Sequence, residues 1–258
     1  MRAWPTAQYT APVPPKAVAV VSDAHLGHAP EAVGATFRTF LHSLPEVADH
    51  LVINGDLFDF WFEYRRVIPR AAFPTLAALS DLRAQGVRLT VTGGNHDRWG
   101  GDFWSREMDA TFHSGAVELE LAGRRTFLAH GDGLAESRRL SRIMHGITSH
   151  PLTASLFRLL HPDVGFWLAD RLSGILAEQT KSAEALAKAA ATQESFAVEL
   201  MSRRPDLELV ILGHTHHPVV REVAPRRWYL NSGAWMEGYS YALLGADGPV
   251  LRRFEPPR

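Results

Sequence analysis

Five short stretches of this 258-residue chain concentrate side chains that bind cations and move protons. They are SDAHLG with Asp23 and His25, NGDLFDFW with Asp56 and Asp59, GGNHD with Asn95, His96 and Asp97, AHGD with His130 and Asp132, and GHTHHP with His214 and His216. Together they offer the carboxylates of Asp23 and Asp56, the imidazoles of His25, His130, His214 and His216, and the amide oxygen of Asn95. Seven such groups are too many for one transition metal. They suit two ions sharing a bridging carboxylate, about 3.5–4 Å apart. Carboxylate, imidazole and amide donors without a thiolate fit Mn²⁺, Fe²⁺, Co²⁺ or Zn²⁺ better than Ca²⁺ or Mg²⁺. Ligand type alone does not choose among these four. A cation pair of this kind polarises a substrate oxygen and activates water near neutral pH. The leaving oxygen then needs a proton, which a histidine oriented by a carboxylate supplies. Taken singly, each stretch also reads as an ordinary polar turn.

The composition narrows the alternatives. There is no cysteine among 258 residues, which removes disulfide scaffolds, thiol nucleophiles and Cys-based metal sites. A formal net charge of −1 creates no global field for nucleic acid or anionic lipid. The hydrophobic fraction of 46% is that of a globular chain. Thirteen histidines stand out. Eight of them, His28, His42, His50, His113, His145, His150, His161 and His217, lie outside the ligand set and read as solvated or locally hydrogen-bonded. The N-terminal MRAWPTAQYTAPVPP lacks the apolar core of a signal peptide and reads as a loose leader. No run of eighteen apolar residues predicts a membrane span, so the expected location is cytoplasmic.

Each motif follows an apolar run. Ala17–Asp23, His50–Gly55 and Val87–Gly94 are expected strands, with helices around Glu31–Leu44 and Pro69–Gln85 between them. This alternation predicts an α/β fold with a largely parallel sheet, whose strand ends gather the motifs. Because side chains two apart on a strand point the same way, Asp23/His25 and His214/His216 are each expected to converge on one point. Val117–Leu121 and Arg125–Gly131 flank Ala122-Gly123-Arg124 as a hairpin. Strands resume at Leu207–His214, Pro218–Val223, Arg227–Gly233 and Tyr239–Gly245. Between them, residues 134–204 carry only helical patterns. Leu152, Leu156, Leu159 and Leu160 share one face, and Val164, Leu168, Leu172 and Ile175 another. An Ala-rich helix runs from about Ser182 to Met201. The expectation is one domain, 1–258, with a helical insertion at 134–204.

The ordered set D-x-H, G-D-x-x-D, G-N-H-D, H-G-D and G-H-x-H resembles the calcineurin-like metallophosphoesterases, from about Val18 to Trp235. That resemblance implies a four-layer α/β/β/α sandwich and two divalent metal ions. It implies that Asp23, His25 and His216 bind the first metal and Asn95, His130 and His214 the second, with Asp56 bridging. His96, paired with Asp59, would face the phosphorus as proton donor. Outside that set, Asp97 reads as a cap of the turn after its loop, and Asp132 as a cap of the following helix or a group that orients His130. GDLFDFW, AHGDGL, NSGAWMEG and the placement of the insertion are similar to the branch containing UDP-2,3-diacylglucosamine pyrophosphatase. That branch implies cleavage of a nucleotide-linked lipid at its pyrophosphate, to UMP and a lipid monophosphate. The insertion would then be a lid over acyl chains with peripheral membrane contact.

The chain departs from that branch at His96 and Asp59, where the branch usually has Arg and Glu. After H-G-D it offers Arg138, Arg139 and Arg142 instead of acidic residues and a tyrosine. These arginines would either contact phosphate or form a solvated helix face. Trp61 and Trp235 would either wall the pocket or pack in the core. The apolar faces of the insertion would either cover the sheet or hold acyl chains. A soluble phosphodiester, such as a cyclic nucleotide, or a phosphomonoester is the alternative substrate. A non-catalytic metal-bound scaffold is the remaining reading, although no ligand or dyad residue is lost.

Overall fold

Short runs rich in Val, Leu and Ile become strands without polar alternation when both faces of the sheet are covered. In the computed structural model, which describes residues 17–134, 146, 150–177 and 183–256, β1 (Ala17–Val21) is such a run. It leads through α1 (Glu31–Ser43) to β2 (Ala48–Asn54), its parallel neighbour. The unit repeats with α2 (Phe73–Ala84) and β3 (Arg88–Thr92), parallel to β2. Next come α3 (Phe103–Glu107) and β4 (Thr111–His113), parallel to β3; both are too short to show a period in the sequence. The expected hairpin is β5 (Val117–Leu121) and β6 (Arg124–Leu128). It turns at Ala122 and Gly123, both at positive φ, as a two-residue hairpin with the right twist requires.

Between β6 and β7, every element among the described residues is helical: α4 (Pro151–Phe157), α5 (Pro162–Ala177) and α6 (Ala183–Arg203). The chain then forms β7 (Leu209–Leu212), β8 (Val219–Ala224) and β9 (Arg227–Asn231). After them come the short α7 (Trp235–Gly238), β10 (Ser240–Gly245) and β11 (Gly248–Arg253).

The strands make two mixed sheets, ordered β11-β10-β1-β2-β3-β4 and β5-β6-β7-β9-β8. The expectation of a largely parallel sheet is corrected at β10 and β11. β10 returns antiparallel beside β1 and pairs with β11 through a tight hairpin. Val18, Val20 and Val52 of the first sheet meet Leu128, Leu209, Ile211 and Leu230 of the second. Alternate residues Ala19, Val21, Leu51 and Ile53 face the other way, onto Phe37, Phe40 and Leu41 of α1 and Leu79 of α2. Val210, Leu212 and Tyr229 on the outer face of the second sheet take Ala197 and Met201 of α6. The result is the four-layer α/β/β/α sandwich. Among the described residues no helix is long and apolar enough to cross a membrane.

Helix α4 does not bury the face marked by its leucines. Leu152, Leu156 and Leu159 are 64%, 66% and 81% exposed, so that face is not core packing against the sheet. Val164 and Trp167 are also exposed, and Leu168 is half-buried; the side chains of Leu172 and Ile175 lie outside the described set. These helices are held instead by aromatic contacts. Phe157 lies 5.8 Å from Phe60, 4.8 Å from Phe62 and 5.5 Å from Trp99, and Phe166 lies 5.3 Å from Phe60, ring to ring.

One buried histidine makes the fold itself pH-dependent. His50 on β2 sits 2.9 Å from Thr90 Oγ1, and burial, with Arg88 next, brings it from 6.5 down to about 4. As pH falls from about 6.5 toward 4, the unfolded chain takes up a proton that the folded one refuses. Stability is therefore lost across this window, by no more than ~3 kcal/mol from this group. His50→Gln keeps a partner for Thr90 without titrating, so urea unfolding of that variant should lose part of the acid-side slope. An unchanged slope would contradict the assignment.

Candidate metal centre

The parallel strands β1, β2 and β3 end at one edge of their sheet, and β6 and β7 end together in the other. The five motifs therefore meet where the sheets face each other, the usual place for sites in α/β folds. Immediately past the strands the backbone turns left-handed at Asp23 (φ 53°), His25 (44°), Asp56 (53°), His214 (66°) and His216 (58°). A non-glycine residue there costs roughly 1–3 kcal/mol and persists only where its surroundings overdetermine it.

Cross-strand bonds do so here. Ala24 N and His25 N donate to Asp56 O at 2.9 and 3.0 Å, and Gly213 N donates to His130 O at 2.7 Å. The Asp97 carboxylate, fully inside, accepts from Leu57 N at 2.7 Å, Gly94 N at 2.8 Å and Asp56 N at 3.1 Å. Gly94 is required because a Cβ there would sit 2.1 Å from Asp56 Oδ1.

These turns correct one expectation. The strands stop at Val21 and Leu212, so strand alternation does not govern the motif residues. Asp23, His25 and His216 bring ligand atoms within 4.8 Å of one another, as do Asp56, His130 and His214. His214 and His216 thus diverge into two clusters instead of converging on one point. A third group, His25, Asp56 and His96, joins the two. Asn95 is exposed on the loop between Gly94 and His96, whose backbone N–H donates to Asp56 Oδ1 at 3.0 Å.

Charge and tautomer both point to cations. Burial alone would push the Asp56 carboxyl up, but His130 and His96 outweigh it and hold it well below the usual range. Burial would lower His130, yet Asp56 and Asp23 raise it well above its ordinary value. Burial, then repulsion from His130, brings His214 down to about 4. Burial and the Asp56 charge lift Asp97 to about 6.

Each of two ring nitrogens is committed outward. His130 Nδ1 donates to Asn54 O at 2.9 Å, and His216 Nδ1 to Glu237 Oε1 at 2.7 Å. Their Nε2 atoms turn inward, His130 Nε2 to 3.1 Å from Asp56 Oδ2 and His216 Nε2 to 3.5 Å from Asp23 Oδ1. Asp23 Oδ1 is buried with no hydrogen-bond partner, and the buried His130 Nε2 has the Asp56 carboxylate as its nearest partner. A buried carboxylate oxygen is rarely left so, and oxygen and nitrogen donors gathered around a common point fit a divalent ion, which would take the place of the proton on His130 Nε2.

The His96–Asp59 pair differs from expectation in its contact. His96 Nδ1 donates to the backbone carbonyl of Asp59 at 2.5 Å, while the carboxylate lies 3.8 Å away. That carboxylate is closer to His25 Nδ1, at 3.5 Å. Asp132 binds Arg98. Trp61 and Trp235 are corrected from pocket wall to core: they are 1% and 0% exposed, packed on Phe58 and on Phe37 and Phe40. Arg138, Arg139 and Arg142 lie outside the described residues.

Three supporting residues escaped the sequence reading. Glu237 and Arg98 had no metal-type spacing to mark them. Gln193 of α6 is buried, with Nε2 donating to Gly131 O and Oε1 accepting from Thr215 Oγ1, each at 3.2 Å. It ties the loops of two motifs together, yet in sequence it is one glutamine in an Ala-rich helix.

A four-layer sandwich that gathers carboxylates and imidazoles with unsatisfied donor atoms between its sheets defines a metal-dependent hydrolase. The sequence model of the calcineurin-like phosphoesterases matches residues 16–218. A UDP-2,3-diacylglucosamine hydrolase of Porphyromonas gingivalis is 32% identical over 254 residues, covering 91% of this chain and 96% of that one. Proteins of the same name from Shigella dysenteriae and Escherichia coli K12 are each 29% identical over 239 residues, covering 91% of this chain and 97% of theirs. The chain belongs to the calcineurin-like phosphoesterase family, and is a metal-dependent phosphoester hydrolase.

Asp97→Ala should leave three buried backbone N–H groups unpaired, each costing about 1–3 kcal/mol. Urea unfolding of the metal-free protein should show a loss of at least ~3 kcal/mol. A loss below ~1 kcal/mol would mean that Asp97 does not hold these loops.

Proposed function

We propose that Asp23, His25 and His216 hold one divalent cation and that Asn95, His130 and His214 hold a second, with Asp56 between them. Mn²⁺ is the expected metal, with Fe²⁺, Co²⁺ and Zn²⁺ as alternatives. When bound, such a pair supplies electrophilic polarisation of a phosphoryl group and activation of water near neutral pH. The remaining work falls to the chain. His96, with Nδ1 committed to the Asp59 carbonyl, keeps Nε2 for the leaving oxygen and donates a proton there. The Asp59 carboxylate lies 3.8 Å from His96 Nδ1 and helps orient the same ring.

The substrate we infer is a UDP-diacylglucosamine-like lipid, hydrolysed at its pyrophosphate to UMP and a lipid monophosphate. One observation carries this reading: the exposed apolar residues of α4 and α5 stand beside the centre, because Phe157 and Phe166 pack on Phe60, the residue after Asp59. The names of the relatives support it. On this reading the chain is one metallophosphoesterase domain, 1–258, with a helical insertion at 134–204 whose helices α4 and α5 form a lid. The lid takes acyl chains and makes peripheral contact with the inner face of the cytoplasmic membrane. Hydrolysis of a soluble phosphodiester or phosphomonoester is the second reading, favoured by the retained His96 beside Asp59.

Three measurements decide. UDP-2,3-diacylglucosamine in mixed micelles should turn over at least ~10-fold more efficiently than an unacylated UDP-sugar, since buried acyl methylenes contribute about 0.8 kcal/mol each. Equal efficiency, with no response to detergent, would favour the soluble substrate. In H₂¹⁸O a single turnover should place label in a phosphate product, and a trapped phosphoenzyme would refute direct attack by water. Asp56→Ala should lower bound Mn²⁺ and turnover together, by more than ~100-fold; intact turnover would remove Asp56 from the centre.

A further inference from the structure

We infer that Glu237 is a positioning residue for the metal centre, fixing the tautomer and direction of His216 from a segment that contains none of the five motifs. The inference rests on the proposed role of His216 as a ligand. Glu237 Oε1 accepts from His216 Nδ1 at 2.7 Å, the short distance of a charge-assisted bond. An imidazole that donates from Nδ1 presents a lone pair at Nε2, and that atom faces Asp23 Oδ1 at 3.5 Å. The carboxylate also makes the ring a better electron donor toward a cation.

The placement is built, not incidental. Glu237 stands on α7, a single turn whose register is locked from both sides. Trp235 N donates to Ser22 O at 3.0 Å and Met236 N to Asp23 O at 3.3 Å, which ties the turn to the backbone that carries Asp23. Beneath it the Trp235 indole is wedged against Phe37 at 5.1 Å and Phe40 at 4.9 Å, ring to ring. Tyr239 closes the turn at φ 57°, with its N–H on Trp235 O at 2.8 Å. Trp235 therefore serves the centre at one remove: it anchors the turn that delivers Glu237. His216 is itself at φ 58°, so its ring direction is not set by strand geometry and needs an outside partner.

Glu237 is exposed, and replacing it leaves the core intact, so the test reads positioning and not folding. Mn²⁺ would be titrated calorimetrically into metal-free full-length protein and its Glu237→Ala, Glu237→Gln and His216→Ala variants. Histidine ¹⁵N spectra of the metal-free forms would report the His216 tautomer. Glu237→Ala should weaken one Mn²⁺ site by about 10–100-fold and release the Nδ1–H tautomer preference. Glu237→Gln, which retains an acceptor, should keep the tautomer and recover much of the affinity. With saturating Mn²⁺ the Ala variant should regain most of its turnover. If His216→Ala loses Mn²⁺ while Glu237→Ala binds it as the parent does with the same tautomer, Glu237 has no positioning role. If His216→Ala itself binds Mn²⁺ unchanged, the assignment of His216 as a ligand falls, and this inference with it.

Discussion

Two carboxylates, Asp23 and Asp56, lie 0% and 1% exposed between the sheets, and the surrounding structure offsets the cost of burying them. An ionised carboxylate in a dry interior is tolerated only with partners. Here those partners are imidazoles from three other motifs and backbone N–H groups from neighbouring loops. His214 N donates to Asp23 Oδ2 at 3.2 Å and His96 N to Asp56 Oδ1. Asp23 Oδ1, buried without a hydrogen bond, and His130 Nε2, which lies against the Asp56 carboxylate, face the same space. A fold that removes these atoms from water and gathers carboxylates and imidazoles around one space is preorganised for cations.

That requirement reaches into the backbone. Left-handed turns at Asp23, His25, Asp56, His214 and His216 aim successive side chains in directions that no strand permits. They also split His214 from His216. Strained turns survive because Asp97 gathers three amides beneath them and Gln193 ties the Gly131 and Thr215 segments from α6. The aromatic clusters act one layer further out. Trp61 and Trp235, both in the core, stiffen the loops that follow Asp59 and precede Glu237.

The helical segment between β6 and β7 has two characters. α6 belongs to the sandwich, burying Ala197 and Met201 against the outer face of the second sheet. α4 and α5 instead stand on Phe60, Phe62 and Trp99 and leave Leu152, Leu156, Leu159, Val164 and Trp167 open. The same apolar periodicity accompanies both outcomes, because a helical stripe records that apolar surface exists and not what covers it.

The sequence by itself determined the elements with strong local signals: the valine-rich strands, the helices between them, the Ala122-Gly123 hairpin and the glycine-punctuated motifs. It also determined the donor chemistry, since residue types at those turns admit oxygen and nitrogen ligands and exclude sulfur. The resemblance of the ordered motifs implied which histidine groups with which carboxylate; the positive φ values and cross-loop bonds that aim those side chains leave no period in the chain, and only the tertiary structure decided them. The same holds for Glu237, 21 residues beyond His216 in sequence and in contact in space. The Asp59 carbonyl in place of its carboxylate on His96, and two core tryptophans in place of pocket walls, follow from packing between segments far apart in sequence. Local physics names the groups; long-range packing aims them.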